Sequence, residues 1–129
     1  MKRLIAVALI LLLTAGIAAA KPYEVSRKAG SYSVDIKMDK NPPIVGPNEI
    51  EIVVRDAAGK TVKDAAILVD YGMPAMPGMP AMFYKADAPL KGDKYTATLN
   101  ISMKGPWQVT IKITHQEKTV SAKFTIDVA

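Results

Sequence analysis

Apolar and polar residues alternate along much of the chain, and this alternation predicts β-strands. Every second position is apolar in residues 32–38, 50–54 and 107–113. A period of two residues is the mark of a strand with one buried face. Proline, glycine, asparagine and aspartate gather between these runs, as at residues 41–48 and 56–60. Such residues favour turns, so we expect short strands joined by tight loops.

The number and spacing of the predicted strands indicate one all-β domain. About seven short strands with turn signals every 8–12 residues are typical of an antiparallel β-sandwich of the immunoglobulin type. We therefore expect two sheets around a common core and almost no helix. Further strands are predicted at residues 65–71, 83–86, 94–101 and 120–128. The residues expected in the core include Tyr32, Ile36, Ile52, Val54, Leu99, Trp107, Ile111 and Phe124.

The N-terminus has the pattern of a secretory signal peptide. Lys2 and Arg3 precede an unbroken apolar run at residues 4–13, and alanines at 18–20 stand before a cleavage point at Lys21. The alternative is a retained anchor, although the apolar stretch is short for a membrane span, which needs roughly 20 residues. Cleavage predicts a periplasmic or secreted protein with no stable membrane span. The predicted division is a signal peptide at 1–20, an N-terminal extension at 21–29 and a β-sandwich domain at 30–129.

Composition narrows the classes of function. The formal charge is +5, and removal of Lys2 and Arg3 would leave +3, with positive and negative residues interspersed. No basic stripe with aromatic residues is present, which argues against nucleic-acid binding. The chain has no cysteine and one histidine. It therefore lacks the residues for thiol catalysis, for the usual catalytic triads and for zinc–cysteine sites, and we predict that it is not an enzyme.

The segment 73–82, Met-Pro-Ala-Met-Pro-Gly-Met-Pro-Ala-Met, carries the most distinctive chemistry. Met73, Met76, Met79 and Met82 recur every third residue, and a proline follows each of the first three. A polyproline II helix has three residues per turn, so we expect the four thioethers along one edge of such a helix. Thioethers are soft ligands that suit Cu(I), for which Ag(I) is a mimic. The alternative to metal binding is that the four methionines form an apolar stripe that covers one end of the sandwich.

Geometry limits how these sulfurs can act together. Successive methionines on a straight polyproline helix lie about 9 Å apart, which is too far for two sulfurs to hold one ion. Either the segment bends at Gly78, or each ion takes one methionine and a ligand from elsewhere. Met103, beside a Gly-Pro break, and His115, in a predicted hairpin loop, are the secondary candidates for that ligand. For His115 the alternative is a solvated surface residue, and for Trp107 it is a place in the core.

Several motifs resemble those of a known family. Residues 56–65 are similar to its D-x-x-G-x-x-V-x-x-A stretch, and residues 73–82 to its methionine-rich loop. Residues 95–97 and 103–107 match its Y-x-A and M-x-G-x-W elements. In this order, over about residues 30–114, they resemble the YtkA-like domain, which is related to the FixH proteins.

The resemblance implies a small extracytoplasmic β-sandwich associated with copper or heavy-metal handling. For FixH it also implies a role in the assembly of copper-containing terminal oxidases. The partners implied are a copper protein or a component of metal efflux or oxidase assembly. FixH proteins keep a membrane anchor, whereas the alanines at 18–20 here favour cleavage.

Two hypotheses of function follow from the sequence. The first is an extracytoplasmic module that binds or delivers copper, or another soft metal, through the Met-Pro-rich segment. The second is a protein-interaction domain without metal, in which the same segment is an apolar docking edge, because methionine surfaces adapt to partners. Metal binding by the four methionines distinguishes the two hypotheses.

Overall fold

Two antiparallel sheets form the molecule, as the alternation of apolar residues predicts. The structure is a computed structural model that describes residues 23–129. The predicted signal peptide lies outside these residues. The strands within this part of the chain are β1 (Tyr23–Ala29), β2 (Tyr32–Met38), β3 (Gly46–Arg55), β4 (Ala66–Met73), β5 (Met82–Asp87), β6 (Leu90–Lys91), β7 (Lys94–Ile101), β8 (Gly105–His115) and β9 (Lys118–Val128).

The strand order confirms the immunoglobulin-like sandwich. Sheet A has the order β1-β2-β3-β7-β6, and sheet B has the order β5-β4-β8-β9. Every pairing between neighbouring strands is antiparallel. Among residues 23–129 there is no helix of the length and apolar character that crossing a bilayer requires.

Nine strands are present in the described residues where about seven were expected, and β1 and β6 account for the difference. The segment treated above as an N-terminal extension largely forms β1, which pairs with β2 from Tyr23↔Met38 to Ala29↔Tyr32. In β1 only Ala29 is buried. An edge strand of this kind carries too weak an alternation to be recognised from its sequence.

The core lies between the two sheets and contains most of the predicted residues. Trp107, Leu99 and Ile111 are completely buried, and their strands alternate buried and exposed positions along their length. Tyr32 is the exception among the eight predicted core residues. It is half-buried, because its hydroxyl reaches His115 at the edge of the core.

The two ends of the sandwich differ in chemistry. At one end, which we call the methionine end, lie the segment 73–82, the loop 102–104 and the loop 39–45. Ser102 Oγ lies 3.9 Å from Met82 Sδ and links the first two of these segments. The loop 39–45 is held by the amide of Ala129, at the end of β9, which donates to the Pro43 carbonyl at 3.0 Å. At the far end, Tyr32 contacts His115.

Candidate metal site

The segment 73–82 folds as a β-hairpin, not as a polyproline helix. Met73 pairs with Met82 at the base of the hairpin, and Met76 pairs with Met79 near its tip. The Met76 amide donates to the Met79 carbonyl at 3.0 Å, and the Met79 amide donates to the Met76 carbonyl at 2.8 Å. The prediction of four thioethers along one edge is therefore wrong.

The Pro77-Gly78 dipeptide explains the hairpin. Proline presets the φ of the first central residue of a tight turn, and glycine accepts the positive φ that a type II turn needs at the second. Gly78 has a φ of +81°. The period of three masked this turn signal, although Pro-Gly between two similar arms is by itself a turn marker.

The turn brings two of the methionines closer together than a straight polyproline helix would. Met76 and Met79 exchange both backbone hydrogen bonds, so they are a directly opposed cross-strand pair. The Cβ atoms of such a pair lie about 5 Å apart. Two flexible methionine side chains that start this close together can place both sulfurs on one ion. The pair is thus chemically able to chelate a soft cation.

Exposure separates the four methionines of the hairpin. Met76 and Met79 are 39% and 38% exposed, whereas Met73 is 2% exposed and Met82 is half-buried. Met76 follows Met73 by three residues. In a regular β-ribbon, residues an odd number apart point to opposite faces. The observed exposures agree with that alternation. Of these four methionines, only the pair at the tip is exposed, each by somewhat more than a third.

Met73 and Met82 have structural surroundings. The Met73 Cε methyl group occupies the space beside Gly105, only 3.2 Å from where a Cβ on that residue would lie. The Tyr84 hydroxyl and the Ser102 hydroxyl each lie 3.9 Å from Met82 Sδ. Binding of a metal at Met82 would have to displace these two weak donors.

Met103 lies at the methionine end, as the sequence suggested, but it is also part of the packing. It is half-buried against the core, and its carbonyl accepts a hydrogen bond from Trp107 Nε1 at 2.9 Å. Met38 is completely buried, as its place in a core stripe predicts. Trp107 is buried too, so its ring does not face the exposed pair.

His115 lies at the far end, and the structure does not bring it to the methionines. It ends β8, an 11-residue strand that begins at Gly105 beside Met73. At about 3.3 Å per residue this strand spans about 33 Å. Both ring nitrogens are engaged, with Nδ1 2.8 Å from the Tyr32 hydroxyl and Nε2 2.8 Å from Asp64 Oδ1. Since the carboxylate can only accept, neutral His115 carries its proton on Nε2 and accepts from Tyr32.

Histidine and carboxylate side chains, which are harder ligands than a thioether, do not form a cluster in the described part of the chain. Within residues 23–129, no three or more His, Asp or Glu side chains stand close enough together to hold a metal ion. The exposed thioether pair is therefore the candidate that the geometry of this region offers for a metal.

Comparisons with known proteins add a family and a fold. The family model described as YtkA-like matches residues 26–112. A search of the curated proteins finds no match. Among solved structures, the soluble domain of PmoD from Methylocystis sp. is similar, with a TM-score of 0.54 and 10% identity over 81% of this chain and 97% of that chain. At this identity the likeness concerns the fold alone.

Proposed function

The chain belongs to the YtkA-like family, and we propose that it is an extracytoplasmic protein that binds a soft monovalent metal ion through Met76 and Met79. Cu(I) is the ion proposed, because thioethers favour it over harder cations. The observation that carries the proposal is the opposed pair at the tip of the hairpin, whose backbones exchange two hydrogen bonds. The copper association implied by the family resemblance supports the same ion.

The position of the pair favours delivery over storage. Two thioethers at an exposed tip leave the other sides of an ion open to ligands from another protein. Such a partner would be a copper protein or a component of metal efflux or oxidase assembly. The ion is then cargo, held by neutral ligands that need not lose a proton to bind it.

A silver titration tests the proposal. Ag(I) is added to the exported protein and to two double variants, M76L/M79L and M73L/M82L, with binding followed by calorimetry. Methionine-to-leucine changes roughly conserve volume, so both variants should keep their circular dichroism spectrum. We expect the parent and M73L/M82L to bind one Ag(I) with similar affinity, and M76L/M79L to lose binding.

Two results would contradict this assignment. If M76L/M79L binds Ag(I) as tightly as the parent, the tip is not a metal site. If M73L/M82L loses binding instead, the ion sits deeper at the methionine end, and the tip pair has been assigned wrongly.

The same hairpin supports the second hypothesis, a docking edge without metal. Phe83 on β5 is 82% exposed, and the adjacent Tyr84 is partly exposed. The exposed Phe83 ring is apolar surface of the kind that partners cover. Tyr84 lies on the opposite face of the strand, where its ring packs against Tyr71 and Trp107. A partner that binds M76L/M79L as well as it binds the parent, with no Ag(I) dependence, would favour this function.

The extracytoplasmic location rests on the N-terminal residues of the sequence. We expect export to remove residues 1–20, so that N-terminal sequencing of the exported protein begins at Lys21. Recovery of a membrane-bound form that begins at Met1 would instead indicate an anchored protein.

A further inference from the structure

The strand β5 forms one edge of sheet B, and its outer side has no strand partner within residues 23–129. Two contacts show which of its backbone groups bond to β4. The Met82 carbonyl oxygen lies 2.5 Å from where a Cβ on Gly72 would be, and the Ala88 amide donates to the Ile67 carbonyl at 3.0 Å. In an antiparallel ladder, alternate residues direct both backbone groups to the same neighbour. The even-numbered residues of this segment therefore face β4, and the odd-numbered ones face the open side.

The odd-numbered residues of β5 form an edge that can bond to another strand. They are Phe83, Lys85 and Asp87, and no loop or side chain of the described residues hydrogen-bonds to their backbone groups. An exposed edge of this kind is a template for pairing with a further strand. Pro80 and Pro89 flank it, and proline has no N–H group to donate. The edge therefore suits a short pairing and not an extended ladder.

The side chains of the same three residues lie on the outer face of sheet B and are exposed. Phe83 is 82% exposed. Lys85 and Asp87 make no ion pair or side-chain hydrogen bond within the part of the chain that the structure describes. Lys85 lies opposite Asp70, but that carboxylate is paired with Lys112 at 2.9 Å. Two opposite charges without partners, two residues apart on an edge strand, are complementary to themselves under a two-fold axis.

We propose that β5 pairs with β5 of a second copy of this chain, in antiparallel orientation and about a two-fold axis at Ala86. In this register Lys85 lies opposite Asp87 of the second copy, and the reverse pair forms by symmetry. Each pair exchanges two backbone hydrogen bonds and joins opposite charges on the outer face. Phe83 lies opposite Pro89 of the second copy, which covers part of the exposed ring. The two copies of sheet B become one continuous sheet in a closed dimer.

Other registers of the same two edges are less favourable. An axis at Lys85 would place the two lysines directly opposite each other, and like charges in that position repel. An axis at Tyr84 would place Phe83 opposite Lys85 and leave Asp87 of both copies without a cation. The axis at Ala86 pairs both charges, so the charges select the register as well as the partner.

The remaining edges of the sandwich are less open than β5. The edge strand β6 of sheet A has only two residues. The edge strands β1 and β9 lie against each other, with the rings of Tyr23 and Phe124 stacked at 6.3 Å. Neither β1 nor β9 has a large hydrophobic side chain among the exposed ones. An exposed apolar ring beside unpaired charges is thus a property of the β5 edge.

This association does not depend on metal binding. Met82 begins β5, so an antiparallel pairing about Ala86 places the hairpins 73–82 of the two copies at opposite ends of the dimer. Neither hairpin tip takes part in the contact. The dimer can therefore be tested in metal-free protein, and its failure would leave the proposed metal site unaffected.

Charge exchange tests the proposed pairs. Sedimentation equilibrium of the exported protein without metal is measured from about 10 µM to about 1 mM, because so short a pairing gives a weak dimer. We expect a monomer–dimer equilibrium. K85D and D87K each place like charges opposite each other and should weaken dimerisation at least about tenfold. The exchanged variant K85D/D87K restores opposite charges and should dimerise like the parent.

A mixture and two control variants sharpen this test. K85D and D87K in equal amounts should form a heterodimer, since each charge then meets its opposite in the other variant. K123D and D127K, on the outer face of β9, are the matched controls and should dimerise like the parent. All variants should keep the circular dichroism spectrum of the parent, because each changed side chain is exposed.

Hydrogen exchange of backbone amides tests the register. The amides of Lys85 and Asp87 should exchange several-fold more slowly at high than at low protein concentration, because each donates across the dimer. The Phe83 amide should show no such change. The carbonyl opposite it, that of Pro89, is directed to the Thr96 amide at 3.0 Å.

Three results would overturn the proposal. The first is a protein that stays monomeric up to about 1 mM, a concentration at which even weak dimers form. The second is a K85D/D87K variant that does not recover the dimerisation lost in the single variants, which would show that these residues are not opposed. The third is loss of dimerisation in K123D or D127K but not in K85D or D87K, which would place the interface at β9.

Discussion

Methionines of one sequence motif have different roles at the scale of single residues. Met73 fills core space beside Gly105, whereas Met76 stands at the exposed tip. We expect Met73→Ala to lower the free energy of unfolding by about 2–5 kcal/mol, because it leaves a cavity. Met76→Ala should change it by no more than about 0.5 kcal/mol. Urea unfolding of the metal-free protein measures both, and a larger effect for Met76→Ala would contradict the division of roles.

Asp35 illustrates how local contacts tune a carboxyl group on the outer face of sheet A. The Ser26 hydroxyl donates to Oδ1 at 2.8 Å and, with the nearby Arg55 guanidinium, lowers the pKa of Asp35 in spite of the opposing effect of burial. The pKa in the unfolded chain is about 3.9. The ionised carboxylate therefore stabilises the fold above that pH, and this contribution is lost as the pH falls through the lower folded pKa.

This pH dependence predicts the behaviour of D35N. The parent should be more stable than D35N near neutral pH, and the difference should shrink once the pH falls below about 4. Urea unfolding of both proteins from about pH 7 to pH 2 measures the difference, with D127N as the control. A difference that does not change over this range would show that these contacts do not act through ionisation.

At the scale of elements, the β8–β9 hairpin confirms the predicted loop but has unusual residues in its turn. Gln116 and Glu117 have positive φ values of 51° and 64°. Two consecutive residues of this conformation make a type I′ turn, for which Asn-Gly is the favoured pair. Residues with a Cβ adopt this conformation at a cost in free energy.

Replacing these two residues should stabilise the protein. We expect Q116N/E117G to raise the free energy of unfolding by about 1 kcal/mol, because both new residues tolerate positive φ. Gly92→Ala is the comparison, since Gly92 has a φ of +67° and alanine there should have the opposite effect. Thermal unfolding followed by circular dichroism measures both changes. A lower melting temperature for Q116N/E117G would mean that the side chains of the turn contribute more than its backbone.

Strands with one buried face were predicted from the sequence, whereas the hairpin at the candidate site was not, because the period of three outweighed its Pro-Gly turn signal. Alternation in β2, β3 and β8 is strong because each has one face in the core. In the segment 73–82 the recurrence of methionine and proline predicts a helix of three residues per turn. Pairing of its two arms continues the β4–β5 ladder, and that ladder forms between strands whose pairing a period of three does not indicate. The sequence singled out this segment as the candidate, but not which of its methionines are opposed across the hairpin.

At the scale of the whole molecule, the length of the sandwich separates the methionine pair from His115, the candidate nitrogen ligand. The methionine pair lies beyond one end of β8, and His115 lies at the other end of this strand, which is about 33 Å long. A residue of the far end could not be excluded as a ligand from the sequence, because spacing along a chain of antiparallel strands does not give spacing in three dimensions.

This separation predicts how binding responds to pH. Thioethers do not titrate, so the affinity for Ag(I) should stay constant within about twofold between about pH 5.5 and pH 7.5. Calorimetric titration of the parent and of H115Q measures it, and both proteins should give the same profile. A loss of affinity near pH 6 that disappears in H115Q would place the histidine among the ligands, in conflict with the fold.

The Pro77-Gly78 turn has a consequence for communication with a partner. Its two hydrogen bonds close the hairpin tip, so under the proposed function the backbone of Met76 and Met79 is already in place before an ion arrives. Loading with the proposed ion would then require rotation of two side chains and no rearrangement of the backbone. The empty and loaded forms would therefore present the same surface shape. A partner could tell them apart only by sensing the ion itself, through its charge or through a ligand that completes its coordination.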